Sequence, residues 1–175
     1  MKSKIINSKA GINDGNGIDL YIIDADEKTT RSIFDSLKQK NFSGKIAVIG
    51  RDNKFNRRAV ETLKIDYLIS PEREVNERKD TLKQRDSGLN HFLAKECAKK
   101  GIKIIIDFDD IQKMQDRKEK AKRIARIIQN IKICRRAKCR IIIWKDGKAD
   151  KYSIQAFGFS LGMSSQQVKD AVRFE

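Results

Sequence analysis

Histidine occurs once, at His91, proline once, at Pro71, and cysteine three times, at Cys97, Cys134 and Cys139. A zinc site normally takes four ligands, and Cys134 and Cys139 have no second pair and one histidine to draw on, so no metal bound by the protein is expected. An odd, sparse set of thiols is expected reduced and partly buried. With one proline and no Gly/Ser tract, nothing divides the 175 residues, and a single domain over residues 1–175 is expected. No apolar run approaches the ~20 residues of a membrane span. Met1 to Ile6 has two lysines but no apolar stretch after them, unlike a signal peptide, and a cytoplasmic location without membrane contact is expected. Aromatics make up 7% and none recurs at the spacing of a base-stacking platform.

Positive charge is what the sequence has in excess. Lys+Arg number 39 against 24 Asp+Glu, a formal net charge of +15 and a sequence pI of about 9.8. Such an excess points to a polyanionic partner, because each cation near a phosphate releases condensed counterions. Twelve of the cations fall in residues 113–140, against only Asp116 and Glu119. A solvated helix face is the plain alternative, but opposite charges at i,i+4 that would neutralise such a face are scarce. Arginine is abundant there, and its planar fork suits phosphate oxygens. The contacts would position an RNA backbone by shape and phosphate and read little sequence.

Short apolar runs alternate with longer amphipathic ones. The runs Ile18 to Ile23, Ile46 to Ile49, Tyr67 to Ile69, Ile102 to Phe108 and Ile141 to Trp144 are β-branched and nearly continuous, as in strands buried on both faces of a parallel sheet. Helices are predicted over Thr29 to Lys40, Arg57 to Leu63, Ser87 to Lys100 and Met114 to Lys138. In the third, Leu89, Phe92, Leu93 and Cys97 share helical spacing, Ser87 is the expected N-cap and Gly101 the stop. In the fourth, Ala121, Ile124, Ile127, Ile128, Ile131 and Cys134 form one stripe, with Lys118, Lys122, Arg126 and Gln129 opposite. Two short helices separated by Gly162 close the chain, the last begun by a Ser164/Gln167 capping box. Strand–helix alternation means βαβ units, and the pattern leaves open sheet and barrel both available.

The segment Arg85-Asp86-Ser87-Gly88-Leu89-Asn90-His91-Phe92-Leu93-Ala94-Lys95 resembles the most recognisable block of the archaeal and eukaryotic ribonuclease P protein component 3 family. Other blocks stand around it in the right order: Asn56 to Glu61 and Ile65 to Glu72 before it, then Ile104 to Phe108, Arg123, Arg126, Gln129 to Ile131 and Cys134, and finally Phe157 to Ser164. The resemblance implies a TIM-type βα barrel. Nothing before Ile18 resembles the strand–helix stretch that opens such proteins, so an incomplete, N-terminally shortened barrel is expected.

The resemblance also implies a function. It is that of a ribonuclease P subunit, supporting the ribonuclease P RNA in endonucleolytic removal of the 5′ leader from precursor tRNA. Precursor tRNA would be met indirectly, a small RNA-recognition-like protein subunit would be the partner, and magnesium would sit on the catalytic RNA. Expected RNA contacts are Arg58, Arg85, Asn90, His91, Lys118, Lys122, Arg123, Arg126 and Lys145, with Arg123, Arg126, Arg85 and His91 foremost and no catalytic residue. His91 by residue type alone is more often a helix-surface residue than a ligand or a base; beside Arg85, Asn90 and Lys95 and inside the resembling block, an RNA contact is the better reading. A second reading rests on Asp24 and Asp107 at strand ends, with Asp109 and Asp110 beyond them. Carboxylates there would suit a metal-dependent phosphoesterase of the polymerase-and-histidinol-phosphatase type, although one histidine cannot build its usual metal cluster. A third is a generic structured-RNA-binding assembly protein.

Overall fold

The computed structural model describes residues 2–12, 17–73, 78–81, 84–145 and 150–172. Six strands form one wholly parallel sheet in the order β1 (Ser3–Ile6), β2 (Leu20–Ile23), β3 (Lys45–Ile49), β4 (Tyr67–Ile69), β5 (Lys103–Asp107) and β6 (Ile141–Trp144). Helix α1 (Glu27–Gln39) follows β2, α2 (Asn53–Thr62) follows β3, and α3 (His91–Lys100) follows β4 after a long loop. The β5–β6 connection holds α4 (Phe108–Lys113) and α5 (Arg117–Ala137), and β6 leads to α6 (Lys151–Ser160) and α7 (Ser165–Ala171). Sequential parallel order with helical crossovers is the TIM-type βα arrangement, left incomplete: among the described residues β6 does not pair back to β1.

The apolar runs are continuous because both sheet faces are covered. Leu20, Ile22, Ala47, Tyr67, Ile69, Ile105 and Ile142 pack together on one face. Their neighbours Tyr21, Ile23, Val48, Leu68, Ile104, Ile106 and Ile143 lie in the larger core under the helices. Register carries the inner layer across the sheet, Ile22 opposite Ala47, Ala47 opposite Tyr67 and Ile105 opposite Ile142. Ile5, in register with Ile22, is exposed because β1 is an edge.

Several boundaries differ from the sequence reading. Strand β1 is an addition, since Ser3-Lys4-Ile5-Ile6 has only two apolar residues and no alternation to announce it. Helix α2 begins four residues early, at Asn53, because the Asp52 carboxylate caps it by accepting from the Phe55 amide. Helix α3 begins four residues late, capped by Asn90 and not Ser87; the Asn90 carboxamide oxygen accepts from the Leu93 amide at 2.8 Å. Gly101 ends α3 in the left-handed conformation and Ser164/Gln167 forms the capping box, as expected. The three thiols are free and buried.

Gly88 explains the late start of α3. Its φ is +70°, and a Cβ there would overlap the Pro71 carbonyl oxygen, so only glycine lets the loop after β4 close onto itself. Gly101, also left-handed, has open space around it. Replacing Gly101 by alanine should therefore lower stability by about 1–2 kcal/mol, the left-handed penalty alone. Gly88→Ala should cost clearly more, with paired thermal melts as the check. Equal losses would contradict the close packing at Gly88.

Candidate nucleic-acid interface

The interface is organised by the described residues of the loop between β4 and α3 (70–73, 78–81 and 84–90), which bond to groups just past the C-terminal ends of β2 and β3 and to α5. Buried polar groups hold it, each needing a partner to offset its desolvation. Asn56, on α2 and 0% exposed, donates from Nδ2 to the carbonyls of Arg51, Pro71 and Gly88 at 3.0–3.1 Å. Its Oδ1 accepts from the Arg51 amide at 2.7 Å. Arg78 donates to the carbonyls of Arg51, Pro71 and Arg73 at 2.9, 2.7 and 2.6 Å. One side chain from a helix and one from the loop thus satisfy the carbonyls of Arg51, Pro71, Arg73, Asp86 and Gly88.

Two arginines of α5 complete the anchorage. Arg123, 6% exposed, pairs with Asp110 at 2.7 Å and with the fully buried Glu72 at 3.4 Å, and also donates to the Ser70 hydroxyl at 3.2 Å. Arg126, 2% exposed, forms an ion pair with Asp80 at 3.1 Å, and the Asp80 carboxylate also accepts from the Asp86 amide at 2.7 Å. Burial pushes the Glu72 carboxyl above the ordinary carboxylate range, against the pull of the Arg123 guanidinium. Burial acts the same way on Asp80, but there the Arg126 and Asp86 hydrogen bonds win and hold it below that range.

This placement corrects the expectation that Arg123 and Arg126 face RNA. Both lie on the buried side of α5, with Ile127, Asn130, Ile131, Cys134 and Ala137, and their forks are committed to carboxylates of the same chain. The inward face of the helix is rotated from the expected stripe: Ala121 is exposed, and Ile124 and Ile128 are only half-buried. An arginine counted as surface by its charge is drawn inward because acids stand opposite it, at sequence separations of 46 and 51.

The other expected contacts divide. Arg85, Asn90 and His91 stay together at the surface on one segment docked on α5. The Gln129 carboxamide accepts from the Arg85 amide and donates to its carbonyl, both at 2.8 Å, and donates to the Ser87 hydroxyl at 3.0 Å. Asn130 donates to the Ser87 carbonyl at 3.0 Å. Lys118 is exposed on the first turn of α5, and Lys122 is half-buried beside Glu119 at 2.7 Å. Arg58 is turned toward α1, paired with Glu27 at 2.6 Å. Lys145, past β6, lies 5.5 Å over the Phe108 ring. No hydrogen bond or ion pair among the described residues joins Arg58 or Lys145 to the Arg85–His91 segment.

Sequence reasoning passed over Arg78 and Asp80, for which no local pattern exists, and misplaced Phe92. The helical spacing that groups Phe92 with Leu93 and Cys97 would bury it, yet the late helix start leaves it 82% exposed beside His91, the ring centroids 6.4 Å apart.

The carboxylates that motivated the phosphoesterase reading have other engagements. Asp24 pairs with Arg51 at 2.9 Å and Arg73 at 3.4 Å, Asp110 with Arg123, and Asp107 caps α4 by accepting from the Asp110 amide. Burial, foremost, raises the Asp107 carboxyl. Among the described residues no group of three or more His, Cys, Asp or Glu could hold a metal ion, and His91, the one histidine, stands exposed at the start of α3. This donor set does not fit a clustered metal centre.

No protein-family model matches the chain. Two curated proteins, from two strains of Methanococcus maripaludis, are each 28% identical to it over 121 residues, and both are named ribonuclease P protein component 3. The chain is similar to ribonuclease P protein component 3. The matched stretch is 69% of this chain and 47% of each relative, so the chain spans about half the length of the curated relatives it matches. A cryo-EM structure of archaeal ribonuclease P with mature tRNA contains a chain of the same fold, with a TM-score of 0.67 and 20% identity, covering 98% of this chain and 78% of that one. An uncharacterized protein of known crystal structure matches with a TM-score of 0.56 and 12% identity over 89% of this chain and 42% of its own. The resemblance to component 3 read from the residues is borne out, and so is the incomplete TIM-type fold.

Arg123→Ala should destabilise the protein by about 3–5 kcal/mol, because it leaves Glu72 buried without its cation. Lys118→Ala on the same helix should stay within about 0.5 kcal/mol. Chemical denaturation of the two variants checks this. Comparable stabilities would place Arg123 at the surface.

Proposed function

We propose that the chain is a protein subunit of ribonuclease P, supporting a catalytic RNA in endonucleolytic removal of the 5′ leader from precursor tRNA. The observation that carries this reading is the match to component 3 proteins through 121 residues. The exposed cations of α5, together with Arg85 and His91, suit the task. In this reading the RNA performs phosphodiester hydrolysis with its own magnesium, and the protein's fixed charges offset phosphate repulsion as the catalytic RNA domain folds. The direct partners are ribonuclease P RNA and a small RNA-recognition-like protein subunit; precursor tRNA is met through the RNA, and the setting is cytoplasmic.

The α5 surface outside Arg123 and Arg126 still holds Arg117, Lys118, Lys120, Lys122, Lys132, Arg135 and Arg136, with Lys138 at its C-cap. Arg135 is committed to the Gln167 side chain at 2.9 Å and to the Gly162 carbonyl, which leaves lysines as the main groups for phosphate. Lysine acts as a point charge and carries little directional readout, in keeping with backbone gripping.

The deciding experiment is reconstitution of precursor-tRNA cleavage from a cognate ribonuclease P RNA, its partner proteins and this chain. Addition of the chain should raise cleavage, most at low magnesium. Replacing Lys118 and Lys122 together should flatten the plot of log affinity against log salt by about 0.7–0.9 for each phosphate that is no longer neutralised. No effect of the chain on cleavage at any magnesium concentration would overturn the reading.

A further inference from the structure

Helices α2 and α3 lie side by side and leave an open cleft of about 930 Å³ between them. Lys100 closes one end by donating from Nζ to the carbonyls of Val60 and Glu61, both at 2.9 Å. At the other end Asn53 donates to the Asp86 carboxylate at 2.8 Å. Lys54 and Arg57 of α2 and Lys95 and Lys99 of α3 line the walls, and Phe92 stands at the rim. The two acids in the lining are already neutralised: Glu61 pairs with Arg57 at 2.7 Å and Glu96 with Lys100 at 3.5 Å. Lys54, Lys95 and Lys99 have no ion-pair partner among the described residues. The cleft therefore presents three uncommitted ammonium groups around one exposed ring, with the His91 ring beside it.

That combination has a chemical meaning. A phenyl ring left 82% exposed at the mouth of a cation-lined groove offers an apolar π-face where phosphates are held nearby. Successive groups on a single RNA strand are a base, which stacks on such a face, and a phosphodiester, which an ammonium neutralises. A paired base in a duplex has its faces covered and cannot stack. The groove is large enough for a nucleotide, and its charge is of the wrong sign for a basic partner. We propose that this α2–α3 cleft binds an unpaired nucleotide of an RNA strand, with the base on Phe92 and the flanking phosphates on Lys54, Lys95 and Lys99. The proposal rests on the ribonuclease P reading in that it takes RNA as the partner. It adds a single-stranded element, where α5 offers only backbone gripping.

The test uses the full chain and two RNA hairpins that differ only in one inserted nucleotide, the first fully paired and the second carrying a single bulged 2-aminopurine. The wild-type protein should bind the bulged hairpin about ten-fold more tightly and quench the fluorescent base. Phe92→Ala should remove that preference, about ten-fold, while leaving the paired hairpin unaffected; Phe92→Trp should restore it. The ring is exposed, so melting should not move, and an unchanged melt rules out a folding cause. Lys54→Ala, Lys95→Ala and Lys99→Ala combined should weaken the bulged complex and reduce its salt dependence. Equal binding of the two hairpins by wild type, or an unaltered preference in Phe92→Ala, would overturn the proposal. So would a Phe92→Ala defect confined to assembly with the second protein subunit, which would make the cleft a protein-docking site. Running the same variants in reconstituted cleavage separates the two readings. If wild type and variants stimulate cleavage equally, the cleft proposal alone falls; if wild type neither stimulates cleavage nor binds RNA, both fall.

Discussion

The buried ion pairs between α5 and the β4–α3 loop are the constraint on which the rest of the surface depends. Arg123 and Arg126 are drawn out of water and matched to Glu72, Asp110 and Asp80, and the loop so held carries Arg85 and the start of α3 into place. A buried ion pair gains little over a well-packed apolar contact. What it supplies here is direction, since a fork meeting a carboxylate fixes both angle and register. The loop has few apolar residues, and bonds of this kind, with those from Asn56, Arg78, Gln129 and Asn130, tie its described residues to α2 and α5.

That anchorage has a functional corollary. In a TIM-type fold the C-terminal strand ends are where catalytic groups collect. In this chain they are occupied by arginine–carboxylate pairs and a helix cap, leaving no cluster of free ligands among the described residues. The fold has its usual reactive end filled with structural polar contacts, while the available charge sits on the outer surfaces of α5, α2 and α3.

Strands β2 to β6 and the long basic helix were legible in the sequence, because continuous β-branched runs and helical charge spacing report burial directly. The family resemblance rested on Arg85 to Lys95 and on blocks in sequence order, which the comparisons support. Edge strand β1 was not legible, since an edge needs no apolar pattern. The roles of Arg123 and Arg126 were hidden for a different reason. Charge predicts exposure unless a partner waits inside, and their partners include acids 46 and 51 residues away in a loop of no regular pattern. Phe92 was misjudged because its burial depended on where α3 begins, which Gly88 and Asn90 decide.

Arg126, 2% exposed and paired with Asp80, is read as a residue of the fold, and a double-mutant cycle with Asp80 tests this most directly. Stability and RNA affinity would be measured for Arg126→Gln, Asp80→Asn and the double variant, with affinity read well below each melting temperature. Each single change is expected to destabilise, the double change to cost less than the sum, and RNA affinity and its salt dependence barely to move. Additive, small stability effects with a loss of RNA affinity confined to the Arg126 variants would contradict the structural role.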